Sequence, residues 1–139
     1  MLKHQLLHLR RIAARKQGYR CCYCERPMCF SAPASFARRH GLSEARAHML
    51  LCTAEHLVPR SKGGKACRRN IAAACLLCNA MRHRLPQELE PVAFAAYVRQ
   101  QQAIGHWPPP NCQPLPNYSF KRTAATSCAT IRRRSAAAA

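Results

Sequence analysis

The chain has 139 residues, and 23 lysines and arginines against 5 acidic residues give it a formal net charge of +18 at pH 7. All of the acids are glutamates, which excludes a metal cage of several carboxylates, an EF-hand loop and an aspartate-paired catalytic dyad. The charge predicts a polyanionic partner, and no apolar stretch approaches the roughly 18 residues of a membrane span. We therefore expect nucleic acid, and not a membrane, as the partner. Composition alone also agrees with a nucleic-acid binder that has no catalytic activity.

The chain begins with a predicted amphipathic helix. Apolar residues recur there at helical spacing, at Leu2, Leu6, Leu9 and Ala13. Gly18 would end such a helix, so we place it within residues 1–18. A tight cysteine turn is predicted directly after it, at residues 20–25 (RCCYCE).

The middle of the chain predicts two strands around a loop. Residues 26–51 form a less regular insertion, in which residues 44–51 look helical. Residues 51–58 (LCTAEHLV) are apolar and β-tolerant, and Pro59 with the following glycines ends that strand. Residues 70–74 can form a short second strand.

The last part of the chain predicts two helices and a tail. Residues 75–85 can form a cysteine knuckle that opens a helix, and a further helix covers residues 92–104, between Pro91 and Gly105. Residues 108–139 carry several prolines, an arginine run and a terminal alanine run without apolar periodicity. We expect a disordered, basic C-terminal tail there.

The 10 cysteines of the chain indicate either a disulfide framework or metal ligands. The N-terminal segment MLKHQLLHLRRIAARK lacks the apolar core of a signal peptide, although its arginine-rich, acid-free character also occurs in organellar transit peptides. We favour a reducing, cytoplasmic compartment and cysteines that bind metal. A secreted, disulfide-rich cationic protein is the alternative.

Two pairs of cysteines have the spacing of zinc knuckles. Cys21-x-x-Cys24 and Cys75-x-x-Cys78 can together supply the four thiolates of a tetrahedral structural Zn²⁺ site. A redox-active pair is the alternative, but such a motif is typically one CxxC pair beside a βαβ pattern, and this chain has two pairs and no such pattern. The spacing therefore predicts structural zinc.

The segment between the knuckles, AEHLVPRSKGG at residues 54–64, carries an acid-His pair followed by a proline and a glycine loop. Asn70 follows at the second strand, and Asn79 comes directly after the second knuckle. In this order and spacing, residues 19–85 resemble the HNH endonuclease family, whose core is a ββα-metal motif. Asn at the third signature position makes this an HNN variant of the pattern.

The resemblance implies roles for four residues. Glu55 and Asn79 would hold one Mg²⁺ or Mn²⁺ ion, His56 would activate a water molecule, and Asn70 would fix the loop that presents His56. Histidine suits the role of base, because its ordinary pKa of about 6.5 lies near neutral pH. Glu55 replaces the more usual aspartate of the family and reaches one methylene further. His83 lies four residues after Asn79 on the same helix face and could approach the metal or phosphate, or could be a solvated surface residue.

Basic residues surround the predicted site. We expect five of them to contact phosphates without reading base sequence: Arg60, Lys62, Lys65, Arg82 and Arg84. Double-stranded DNA is the expected partner, and a homodimer is compatible with the sequence.

Together these observations predict an α+β fold: a small zinc-stapled ββα-metal core at residues 19–107, with flanking helices and a disordered basic tail at 108–139. The predicted function is a metal-dependent DNA endonuclease that hydrolyses phosphodiester bonds with a histidine general base and one divalent ion. The alternative is a zinc-stapled nucleic-acid-binding module without catalytic activity.

Overall fold

The computed structural model describes residues 2–109 and 126–127, and its fold is α+β, which confirms the predicted class. The elements in chain order are α1 (Leu2–Arg15), β1 (Lys16–Gln17), α2 (Pro33–His40), α3 (Glu44–Met49), β2 (Cys52–His56), a 3₁₀ turn (Arg60–Lys62), β3 (Ile71–Cys75), α4 (Leu76–Arg82), α5 (Pro91–Ala103) and β4 (Thr126–Ser127).

Strands β2 and β3 form an antiparallel hairpin, and α4 follows β3 without a break. Cys52 pairs with Cys75 at one end of the hairpin, and His56 pairs with Ile71 at the other. Every residue of β3 (IAAAC) is buried, and its alanines let neighbouring elements approach the sheet closely. The predicted ββα arrangement is thus present, with the loop between the strands next to His56.

Polar side chains of α1 and β1 bind these elements to the hairpin. Arg10 is buried and donates to the carbonyl oxygen of Cys52 at 3.0 Å. The side-chain amide of Gln17 bonds to the backbone of Ala73 as a neighbouring strand would. Its Nε2 donates to the Ala73 carbonyl at 2.6 Å, and its Oε1 accepts from the Ala73 N–H at 2.8 Å. These bonds satisfy backbone groups of β2 and β3 that would otherwise be costly to bury.

The insertion contains one helix more than the sequence analysis predicts. Helix α2 has Pro33 at its first turn and ends at Gly41, which has a φ of 61°. Phe36 and Ala37 are buried on its inner face, so packing stabilises a helix of only 8 residues. Proline at the start and glycine after the end were the sequence signals for this helix.

Helix α5 closes the core with aromatic contacts. Phe94 lies edge-to-face against Tyr23, with ring centroids 4.8 Å apart, and Trp107 also lies edge-to-face against Phe94, with ring centroids 6.2 Å apart. The predicted disordered tail at 108–139 lies outside the described residues, apart from 108–109 and 126–127. Within the described part of the chain, no helix has the length and apolar character needed to cross a membrane.

Candidate metal and nucleic-acid site

The four cysteines of the two predicted knuckles come together in the core. The sulfurs of Cys21, Cys24, Cys75 and Cys78 all lie within 4.8 Å of one another, and all four residues are buried. Two tight backbone segments hold them: the turn after β1, and the junction where β3 passes into α4. The sequence prediction that these residues form one cluster is confirmed.

The cluster has the dimensions of a tetrahedral zinc site. Zinc–sulfur bonds of about 2.3 Å place the sulfurs of a Cys₄ site about 3.8 Å apart. Cys24 Sγ and Cys75 Sγ are 3.9 Å apart. Backbone N–H groups also point at the sulfurs: Tyr23 and Cys75 donate to Cys21 Sγ at 3.4 and 3.3 Å, and Cys78 donates to Cys75 Sγ at 3.4 Å. Four buried cysteines in this arrangement can bind zinc.

At the other end of the hairpin, Glu55 is the buried centre of a polar cluster. Its side chain is 1% exposed. Oε1 forms an ion pair with Arg82 Nη1 and accepts a hydrogen bond from Tyr23 Oη at 2.9 Å. Oε2 lies 3.4 Å from Nε2 of His83. A buried carboxylate is costly unless it is paired and hydrogen-bonded, and these partners meet that need.

Arg82 and Tyr23 are themselves buried around this carboxylate. Arg82 also donates to the carbonyls of His56 at 3.2 Å and Leu57 at 3.1 Å, so it clamps the end of β2. Burial, and negative charge at neighbouring groups including Glu55, raise the pKa of the Tyr23 hydroxyl, which therefore remains a hydrogen-bond donor.

His56 lies on the opposite face of β2 from Glu55, at the strand end, and is partly exposed. Its Nε2 accepts a hydrogen bond from Arg60 Nε at 3.3 Å. Partial burial and the positive charge of Arg60 lower the pKa of His56, against a smaller opposing effect of Glu55. The imidazole is therefore neutral near neutral pH, as a proton acceptor must be.

Asn70 binds the loop that follows His56. Its Oδ1 accepts from the Val58 N–H at 2.7 Å, and its Nδ2 donates to the carbonyls of Val58 and Lys65, both at 3.0 Å. Gly64 is required at the same place, because a Cβ atom there would lie 1.8 Å from the Val58 carbonyl oxygen. The amide of Asn70 thus joins both ends of the loop to the start of β3.

Asn79 projects from the first turns of α4 toward β2. Its Nδ2 donates to Thr53 Oγ1 at 2.9 Å and to the Ala54 carbonyl at 3.2 Å. Among the described residues, none donates a hydrogen bond to its Oδ1. Asn79 and His83 both line an open groove beside α1, and the His83 side chain is 46% exposed.

The five basic residues assigned to nucleic acid differ in their surroundings. Arg60, Lys65 and Arg84 are exposed. Lys62 is exposed but forms an ion pair with Glu88 at 2.8 Å. Arg82 is 2% exposed and bound to Glu55, so the expectation that it contacts phosphates does not agree with the structure. The physical reason is that Glu55, once buried, needs a cationic partner in the core.

Sequence reasoning missed the two groups that hold Oε1 of Glu55. Tyr23 lies between the two cysteines of the first knuckle, and its position inside that motif carries no sign of a contact with Glu55. Arg82 follows Asn79 by three residues on α4, so it resembles an ordinary surface arginine in the sequence. A lone acid in an apolar strand was the available signal, because such a residue requires buried partners.

A family model described as HNH endonuclease matches residues 39–85, about a third of the chain. The matched region runs from the end of α2 to just beyond α4 and includes Glu55, His56, Asn70 and Asn79. It leaves out α1 and the first cysteine pair. No curated protein and no solved structure gives a significant match. The match indicates a nuclease-type or nucleic-acid-binding module.

Proposed function

Because residues 39–85 match the HNH endonuclease family, we propose that this protein is a metal-dependent DNA endonuclease. The observation that carries the proposal is the set of groups at the end of β2: Glu55 and His56 are adjacent there, His83 Nε2 lies 3.4 Å from Glu55 Oε2, and Asn79 bonds to the Ala54 carbonyl. A carboxylate and an amide that can hold a divalent ion, together with a neutral imidazole that can act as base, are groups suited to phosphodiester hydrolysis.

The divalent ion would be held by Glu55 and Asn79, with His83 as a third donor. Glu55 Oε2 suits this role, because Arg82 and Tyr23 both bind the other oxygen of the carboxylate. The donor set of carboxylate oxygen, amide oxygen and imidazole nitrogen fits Mg²⁺ or Mn²⁺ through its oxygens and admits a transition metal through His83. A bound ion would supply positive charge against the charge that develops on the phosphate.

His56 acts as the general base in this proposal. It takes a proton on Nε2 from the attacking water, whose oxygen forms the new bond to phosphorus as the bond to the leaving sugar oxygen breaks, and that oxygen takes up a proton from solvent. Arg60 Nε donates a hydrogen bond to this Nε2 in the structure. A phosphate attracts guanidinium groups more strongly than a neutral imidazole does, so substrate would draw Arg60 away and leave Nε2 open.

Double-stranded DNA is proposed as the substrate on electrostatic grounds. Three exposed basic residues flank the site. They are Arg60 on the 3₁₀ turn, Lys65 in the loop that follows it, and Arg84 just after α4. Contacts of this kind bind the phosphate backbone without regard to base sequence. Zinc thiolates also require reduced cysteines, which supports a reducing compartment such as the cytoplasm.

Conversion of supercoiled plasmid to nicked or linear forms tests the proposal. We expect cleavage with Mg²⁺ or Mn²⁺ and none with a chelator of those ions that leaves the zinc in place. His56→Ala should lower the rate by about 10²- to 10⁴-fold, because it removes the base. His8→Ala is the matched control, since His8 is an exposed histidine on α1.

Zinc content and the unfolding transition of both variants should equal those of the parent chain, which separates lost catalysis from lost structure. Full activity of His56→Ala would contradict the assigned base. Binding without cleavage across several ions and DNA forms would contradict the endonuclease.

The rival function is a zinc-stapled nucleic-acid-binding module. One observation favours it: Arg82 already neutralises Glu55 in the core, which competes with a metal ion for the same carboxylate. On this view the family framework would be kept for binding alone. The plasmid assay with several divalent ions decides between the two functions.

A further inference from the structure

An open groove runs between α1 on one side and β2 with α4 on the other. Its volume is about 790 Å³, within the range of about 300–1,000 Å³ typical of ligand-binding clefts. Leu7 and Leu76 contribute to an apolar lining, and Lys3 and His4 stand exposed where α1 borders the groove. One wall therefore comes from a helix that lies outside the region matched by the HNH family.

The described charged residues that line this groove are all positive. Every formally charged residue among its described lining residues is basic, and α1 contains no acidic residue in any position. A cleft lined by one sign of charge concentrates ligands of the opposite sign. A polyanion therefore complements this surface, whereas the basic C-terminal residues of the same chain and a second copy of α1 would both be repelled.

The groove also leads to the candidate catalytic residues. Asn79 and His83 line it together with Lys3 and His4. A DNA strand with its scissile phosphate near Glu55, Asn79 and His83 would thus have its neighbouring nucleotides beside α1. The apolar lining suits the sugars of the backbone, and the lysine suits a phosphate.

We propose that this groove holds the DNA strand next to the scissile phosphate, with Lys3 bound to a phosphate of that strand. The inference rests on the proposed function, because it takes the cleaved bond to lie near Asn79 and His83. It adds α1 to the substrate-binding surface and assigns Lys3 as a positioning residue.

Binding measurements on the non-cleaving His56→Ala chain test the proposal. The affinity for a short DNA duplex is measured across a series of salt concentrations, with and without the added substitution Lys3→Gln. Loss of one phosphate contact reduces the slope of log K against log salt by about 0.9. Lys16→Gln is the matched control: it removes the same charge from an exposed lysine that does not line the groove.

A neutral linkage locates the contact. The position at which the parent protein cleaves an oligonucleotide duplex is determined first. Duplexes with a single methylphosphonate at successive positions near that point are then bound to the His56→Ala chain. One of these linkages should weaken binding of the chain that has Lys3 and leave the Lys3→Gln chain unaffected, because the two changes remove the same interaction.

Each outcome bears on the groove or on the function separately. If Lys3→Gln and Lys16→Gln have equal salt slopes and the parent chain cleaves DNA, the proposed DNA contact in the groove is wrong. The proposed endonuclease function is then unaffected. A lowered slope for Lys3→Gln in a chain that never cleaves would support the groove as a DNA site and overturn the endonuclease. Absence of DNA binding would overturn both.

A second copy of the chain is the alternative occupant of the groove. Sedimentation without DNA, as a function of protein concentration, tests it on the parent chain and on Leu7→Lys. A dimer that Leu7→Lys dissociates would show that the groove is a subunit interface and would overturn the proposal. A monomer in both cases supports it.

Discussion

The two ends of the β2–β3 hairpin carry two different kinds of candidate metal site. At the end where Cys52 pairs with Cys75, four buried sulfurs stand at zinc-binding distances. At the end where His56 pairs with Ile71, the acid Glu55 is bonded to the protein's own cation, Arg82. The first site offers four sulfurs around one centre, whereas the carboxylate of the second already pairs with a side-chain cation through one of its oxygens.

The same segments build both ends. The first cysteine turn contributes Cys21 and Cys24 to the cluster and Tyr23 to Glu55. Helix α4 likewise begins beside the cluster, with Cys78 in its first turn, and carries Arg82 and His83 to Glu55 at its other end. The segments that carry the cysteine cluster therefore also position the partners of Glu55, so a disturbed cluster should affect the candidate active site more than the reverse.

The largest expected effect comes from the cluster itself. Cys75→Ser should release the metal and unfold the core, because structural zinc contributes about 10–16 kcal/mol in small zinc-folded units. Metal analysis and circular dichroism of the purified protein measure the effect. Cys67→Ser is the control, since Cys67 is exposed and outside the cluster. A folded Cys75→Ser protein with one equivalent of zinc would show that the ligands were misassigned.

The next effect tests the charge pair at the other end. Arg82→Met should lower the free energy of unfolding by about 3–5 kcal/mol, because it leaves Glu55 buried without its cation. Adding Glu55→Gln should recover part of this loss, since the double variant buries no unpaired charge. Arg84→Met, at an exposed arginine two residues away, should leave stability nearly unchanged.

Denaturant unfolding of these four proteins provides the measurement. Equal stability of Arg82→Met and Arg84→Met would contradict the buried pair and weaken the contrast between the two ends of the hairpin.

A smaller effect tests the link between the two ends. Tyr23→Phe keeps the ring that packs on Phe94 and removes the hydroxyl that bonds to Glu55. We expect a loss of about 1–3 kcal/mol in unfolding free energy, typical of a hydrogen bond to a charged group. Tyr19→Phe, at a tyrosine that is 49% exposed, is the matched control. Zinc content should stay at the parent value in both, and identical unfolding midpoints would contradict the link.

The smallest effect concerns the exposed loop beside the candidate active site. Glu88→Gln should strengthen DNA binding a few-fold at low salt, because it releases Lys62 to contact a phosphate. Glu44→Gln removes the same charge from the exposed start of α3 and is the control for long-range electrostatics. If the two variants bind DNA equally well, Lys62 does not contact the DNA.

The parts that could be predicted from sequence are those encoded by short-range spacing. The paired cysteines gave the four-sulfur cluster, and the glycines and proline after His56 gave the end of β2. Helix α2 was missed because a helix of 8 residues is too short to be stable alone and depends on burial of Phe36 in the packed insertion. The roles of Glu55, His56, Asn70 and Asn79 in catalysis and metal binding stay predictions.

By itself, the sequence determined the α+β class, the pairs of cysteines that form the cluster and the order of the family motif, because each depends on residues near one another or on fixed spacing. Tertiary structure alone decided that Arg82 faces the core and not DNA, that Tyr23 contacts Glu55, and that α1 forms one wall of a groove. These outcomes depend on which surfaces are buried when distant segments pack, and the cost of burying the Glu55 carboxylate then selects its partners.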